Sequence, residues 1–217
     1  MPDPVEVPRR MTRADAAGRT RELLLESARE VFVEHGYQSS SIYEIAKRAG
    51  RTIGALYSHF GGKEGVFLAL WDRDFAQLLD GYRAQARGAG DLGDAPAEAG
   101  DFWIRFLQRD PDLFRLFVEF WSHALREPDL RPRFAESLRQ LRAAVAEVIE
   151  QYQRTYGISV AAAPTDIALV IESLVDGFSL HKLADPEHVD SALLGRALGW
   201  MVQGLLAERG AAPPADV

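Results

Sequence analysis

A chain of 217 residues with 47% hydrophobic content is long enough to bury one large core or two modest ones. The absence of cysteine excludes a disulfide framework and a thiolate zinc site, and fits a reducing compartment. The formal charge of -7 is unevenly spread: residues 1–63 carry 10 Lys and Arg against 8 Asp and Glu (+2), and residues 64–217 carry 15 against 24 (-9). Attraction to a polyanion depends on the local field, so overall acidity does not exclude nucleic-acid binding by the first third of the chain.

Residues 1–18, rich in proline and charge, predict a flexible arm whose Arg9, Arg10 and Arg13 can touch phosphates or a minor groove. They lack the apolar core of a signal peptide, and no later run is long and apolar enough to span a bilayer. The expectation is a soluble, cytoplasmic protein with no membrane partner. Leu24, Ala28, Val31 and Phe32 form a helical stripe that Gly36 should end. Ser41-Ile-Tyr-Glu44 has capping-box spacing and opens a helix ending near Ala49, with Ile42, Ile45, Ala46 and Ala49 on one face.

Gly50 can take the positive φ that reverses the chain, and the Thr52 hydroxyl can cap the next helix. Ile53, Leu56, Tyr57 and Phe60 then fall at helical spacing, on a helix too short to be stable unless others hold it from behind. Gly54 and Ala55 are small enough for close approach to a duplex, and Tyr57, His59 and Lys63 can reach phosphates. The pattern reads as a helix-turn-helix whose candidate DNA-binding residues are Ser41, Arg51, Thr52, Gly54, Ala55, Tyr57, Ser58, His59 and Lys63.

Across Arg19 to Leu79 the chain resembles the TetR-type transcriptional regulators. Their motif is matched at Ala49, Gly50, Thr52, Gly54, Ala55, Leu56, Tyr57, His59, Phe60 and Lys63. Two positions depart from it: Arg51, where an apolar residue is usual, and Ile53, where a polar one is common. The resemblance implies an all-α protein of about nine helices. Its parts would be a DNA-binding domain over 19–79, an effector-binding and dimerisation domain over 80–209, and a disordered tail over 210–217.

After Lys63 an apolar stripe from Val66 to Tyr82 predicts a long helix to about Ala86. Arg87 to Ala97, with Gly88, Gly90, Gly93 and Pro96, predicts a loop bordering a ligand entrance. Asp110-Pro111 and Asp185-Pro186 each place a capping carboxylate before a proline, and Pro164-Thr165-Asp166 offers another start. Five helices near 97–109, 111–126, 129–156, 165–184 and 187–208 follow. Trp103, Phe106, Phe114, Phe117, Phe120 and Trp121 crowd two of these, and with His123 they are the candidate pocket for a small apolar or aromatic effector, which the resemblance implies.

Ile167, Val170, Ile171, Leu174 and Phe178, followed by Leu193, Ala197, Trp200 and Gly204, give the last two helices wide apolar faces. The resemblance implies that they pair with their copies in a homodimer, whose two heads would read a pseudo-palindromic operator in double-stranded DNA. The regulator would then be a repressor released by its effector. A ligand-independent regulator, an activator, or a helical ligand-binding protein or enzyme without DNA binding are the alternatives.

No catalytic constellation is present: His35, His59, His123, His181 and His188 lack metal-binding spacing, and no nucleophile elbow or Walker loop occurs. No metal, cofactor or enzymatic activity is therefore expected. Glu119, Glu172 and Asp176 could meet a cationic ligand, although acidic residues on helices are more often solvated.

Overall fold

The computed structural model describes residues 12–86 and 93–207. Among these residues the chain is all-α: α1 Arg13–Ser39, α2 Ile42–Arg48, α3 Ile53–Phe60, α4 Lys63–Ala86, α5 Ala95–Arg109, α6 Pro111–Arg126, α7 Arg131–Tyr156, α8 Pro164–Ala184 and α9 Leu193–Ala207. They form two compact units, divided within α4 between Leu70 and Trp71. Residues 1–11 of the expected arm, the centre of the 87–97 loop and the expected tail over 210–217 lie outside the described residues.

Residues 13–18, read from sequence as part of the arm, form the first turns of α1. Thr12 explains the early start, because its Oγ1 accepts from the Asp15 N–H (3.1 Å) while its own N–H donates to the Asp15 carboxylate (2.9 Å). In the first unit Leu24, Ala28, Val31 and Phe32 are fully buried, and the helix breaks at Gly36, where φ is 73°. The chain then makes one further turn. The Phe32, Tyr37 and Phe67 rings meet at centroid distances of 5.3–5.7 Å, which ties α1 to the start of α4.

In the second unit α5 packs chiefly on α9, and α7 on α8. The α5–α9 crossing is close because Gly100 faces Gly195: a Cβ added at Gly100 would lie 2.5 Å from the Gly195 nitrogen. No local pattern signals this pairing, since the two glycines are 95 positions apart. Asp110 caps α6 as its Asp-Pro signal indicates, accepting from the Leu113 N–H at 3.4 Å.

Asp185-Pro186 does not open the last helix, which starts at Leu193 rather than near 187. The Asp185 carboxylate accepts from His188 instead (2.7 Å), and Lys182 Nζ takes the Pro186 and Val189 carbonyls at 2.8 and 2.6 Å. The start signal is Asp190, whose carboxylate accepts from the Ala192 N–H (2.9 Å) and from Arg196 (2.8 Å).

Candidate nucleic-acid interface and effector cavity

The helix-turn-helix is built by its own caps. Ser41 Oγ accepts from the Glu44 N–H at 3.2 Å to start α2, and Gly50 reverses the chain with φ 62°. Thr52 Oγ1 accepts from the Ala55 N–H at 3.1 Å to start α3. Ile45, Ala46 and Leu56 are buried behind the turn, with Ala49 at the edge of that core. The Glu44 carboxylate does not close the expected capping box; it faces His35 Nε2 at 3.0 Å, beside the Arg48–Glu34 pair at 2.6–2.7 Å.

Packing of Leu56 leaves the opposite side of α3 in solvent. Thr52, Gly54, Ser58 and Tyr57 are exposed, Tyr57 at 52%, with Ser41 exposed at the start of α2 and Ala55 and His59 partly so. Small residues flanked by hydroxyl and aromatic groups form a surface that can enter a groove and touch phosphates. Tyr43, 62% exposed on α2, joins this surface and was not singled out from the sequence. The signal was available, because the other residues of its turn account for the buried face.

Two residues in the sequence-derived DNA set are held elsewhere. Lys63 Nζ donates to the carbonyls of Tyr37, Gln38 and Ser40 at 2.8–3.0 Å and lies 4.5 Å from the centroid of the Tyr37 ring. Its three donors satisfy the carbonyls at the end of α1, so it closes the head instead of reaching for a phosphate. Desolvation lowers its pKa, partly opposed by the charge of Glu64. Arg51 Nε donates to Thr20 Oγ1 (3.3 Å) and its Nη1 to the Gly50 carbonyl (3.0 Å), which turns the guanidinium back onto α1 and the turn.

The second unit contains a cavity of about 460 Å³ lined by α4 through α9. Of the expected pocket residues, Trp103, Phe117 and Trp121 line it, together with Trp71, Phe75 and Tyr82 of α4 and Phe102 of α5. Phe106, Phe114, Phe120 and His123 are not on its wall. Phe114 and Phe120 are fully buried core, Phe120 against Phe134 at 5.5 Å, and Phe106 packs on Trp103 at 5.2 Å. His123 stands edge-on to Phe120 at 6.3 Å. On a two-helix stripe, only the faces turned toward α4 and α8 become wall.

Polar groups on the wall are few. Trp103 Nε1 donates to Ser179 Oγ at 2.7 Å, which fixes that indole against α8. Arg142 Nε and Nη2 both donate to one oxygen of Glu172 at 3.2 Å. Burial pushes Glu172 up from its ordinary pKa, opposed by Arg142; burial and the charge of Glu172 push Asp176 up to about 7. Tyr82 is pushed up by burial first and by its tyrosine neighbour Tyr152. Glu119, by contrast, is exposed.

Ile167 and Ile171, read from sequence as dimer contacts, line this cavity instead, Ile167 being only 7% exposed. Helical rotation turns them inward while Val170 (48%), Leu180 (48%), Leu193 (36%) and Trp200 (61%) point out, with Gly204 exposed beside them. Leu174, Phe178 and Ala197 are half-buried at the border of that face. No helix among the described residues is long and apolar enough to cross a membrane.

Two family profiles match the chain. The one described as "Bacterial regulatory proteins, tetR family" covers residues 24–70, and "BetI-type transcriptional repressor, C-terminal" covers residues 98–207. The HTH-type transcriptional repressor AcnR of Corynebacterium glutamicum is 38% identical over 66 residues, which are 30% of this chain and 35% of that protein. The HTH-type transcriptional activator FasR of Mycolicibacterium smegmatis is 35% identical over 99 residues, 46% of this chain and 45% of the relative. The chain thus spans less than half the length of these curated relatives. The fold is shared with the transcriptional regulator FadR from Bacillus subtilis, solved in complex with stearoyl-CoA, at a TM-score of 0.63 and 19% identity, covering 83% of this chain and 96% of that one. With both profiles matched in order, the chain belongs to the TetR family of bacterial regulators.

Proposed function

We propose that the protein acts as a homodimeric repressor that binds a pseudo-palindromic operator and is released by a small, largely apolar effector. The observation that carries this reading is the cavity of about 460 Å³, a volume suited to a small molecule and walled mainly by apolar and aromatic side chains. Trp71, Phe75 and Tyr82 on its wall belong to α4, the helix whose first turns close the head through Phe67. A ligand that favours one placement of α4 over another changes DNA affinity by that difference alone. The repressor activity named for AcnR and the acyl thioester held by FadR fit this reading.

The head contributes α3 with Thr52, Gly54, Ala55, Tyr57, Ser58 and His59, and α2 with Ser41 and Tyr43. Pairing of copies through the outer face of α8 and α9 supplies the two-fold axis that a palindrome requires.

Selection of duplexes from a random DNA pool, followed by fluorescence anisotropy on the recovered sequence, tests the whole. The expected outcome is an inverted-repeat site bound with steep salt dependence, weakened tenfold or more by at least one member of a small-molecule library. A recovered site without two-fold symmetry would count against the dimer. Duplex affinity that no ligand alters would remove the effector. A reporter gene behind the site separates repression from activation by the sign of the change on deleting the regulator.

A further inference from the structure

The charged groups on the cavity wall, among the described residues, are Arg142 on α7 and Glu172 and Asp176 on α8: two carboxylates against one guanidinium. Arg142 donates from Nε and Nη2 to a single oxygen of Glu172; the other, Oε1, is buried with no hydrogen-bond partner among the described residues. Asp176 lies one turn further along the same face, and one more turn brings Ser179, which holds the Trp103 indole. Trp103 leads through Phe75, at a centroid distance of 6.4 Å, to Trp71, at 5.4 Å from Phe75. Trp71 is 4% exposed and lines the cavity. An unpartnered anionic acceptor on an apolar wall is costly unless a ligand completes it.

We propose that the ligand this cavity is built for is an amphiphilic cation, its apolar body among the aromatic rings and its positive nitrogen held by Asp176 and Glu172 beside Trp103. The inference rests on the reading of the cavity as the effector site and gives that effector its chemical class. A cation balances the two carboxylates against Arg142 and gains the aromatic faces as further ligands. An anion would meet two carboxylates, one of which already takes two of the Arg142 donors. A neutral chain would leave Glu172 Oε1 unpaired.

The charge state of Asp176 gives the proposal a signature. Burial and Glu172 hold it near pKa 7, so binding of a fixed cation ionises it and releases a proton. The titratable groups facing the cavity are Tyr82 on α4, Arg142 and Tyr152 on α7, and Glu172 beside Asp176 on α8; the wall residues of α5, α6 and α9 do not titrate. Burial keeps Tyr82 protonated, which leaves Asp176 as the group that responds near neutrality.

Calorimetric titration of the full chain with decyltrimethylammonium, 1-decanol and decanoate, each at pH 6 and pH 8, reads this directly. The ammonium should bind at least tenfold tighter than the alcohol, and several-fold tighter at pH 8 than at pH 6, with proton release measured in buffers of different ionisation enthalpy. Asp176→Asn should remove the pH dependence and reduce the preference for charge several-fold while retaining decanol binding, which also reports that the variant is folded. Decanol or decanoate binding as tightly as the ammonium, or an undiminished preference in Asp176→Asn, overturns the inference and leaves the cavity as an effector site. Binding of none of the three overturns both. Cation binding that does not change affinity for the selected duplex supports the ligand class and overturns the release mechanism.

Discussion

Lys63 shows how one residue type can carry two roles that only its partners distinguish. Three carbonyl acceptors at 2.8–3.0 Å make it a clamp on the end of α1. Lys63→Met should therefore lower the unfolding free energy by about 2 kcal/mol, the scale of hydrogen bonds to a charged group, measured by urea denaturation. The slope of log affinity against log salt should stay unchanged; a slope smaller by about 1 would return Lys63 to the phosphate contacts. Tyr57→Ala should do the reverse, since a ring 52% exposed contributes little to the core: about tenfold weaker duplex binding with the denaturation midpoint held. Asp176 carries the third residue-level expectation. Its folded pKa of about 7 lies above the ordinary carboxyl value of 3.8, so the folded state binds the extra proton and its advantage is lost as pH rises through that window. Asp176→Asn should match the wild type in stability near pH 4 and exceed it above pH 8, by up to about 4 kcal/mol on the scale of 1.36 kcal/mol per pKa unit. Equal stability at both pH values would place Asp176 in a solvated setting.

At the scale of elements, the α5–α9 crossing depends on two missing side chains. A Cβ on Gly100 would stand 2.5 Å from the Gly195 nitrogen and 2.6 Å from its Cα, both backbone atoms that cannot step aside without moving a helix. Gly100→Ala should cost about 3 kcal/mol, at the upper end of overpacking penalties. Gly18→Ala in α1, where nothing lies within 4 Å of the added carbon, should instead stabilise by about 0.5–1 kcal/mol. Thermal melts of the two variants in opposite directions would locate the constraint at the crossing and not in helix propensity. α9 begins late, and the 186–192 connection before it is held by Lys182 and Asp190.

For the whole molecule, the proposed pairing of two heads rests on the outer face of α8 and α9. Trp200 at 61% and Val170 and Leu180 at 48% exposure form an apolar surface larger than scattered hydrophobes on a monomer require. Trp200→Glu should yield a folded monomer in sedimentation analysis, because the residue contributes little to its own chain's core. Operator affinity should fall by at least a hundredfold, since one eight-residue recognition helix contacts too few bases. An unchanged sedimentation coefficient would move the dimer contact elsewhere.

What local chemistry controls is legible along the chain. Hydroxyl and carboxylate caps, Asp110-Pro111, the Gly50 turn and the 3.6-residue stripes fixed the helical class, most helix ends and the helix-turn-helix, because each signal acts within about four residues of the group it satisfies. Local signals compete at Asp185-Pro186, and the short cap at Thr12 lies in a segment whose composition is that of a tail. Tertiary packing sets which aromatics are wall and which are core, that Ile167 and Ile171 turn inward, that Glu172 and Asp176 face a cavity, and that Lys63 is spent on α1. Those assignments depend on helix rotation and on partners tens of residues away. An amphipathic stripe states that a face is buried, but not against what.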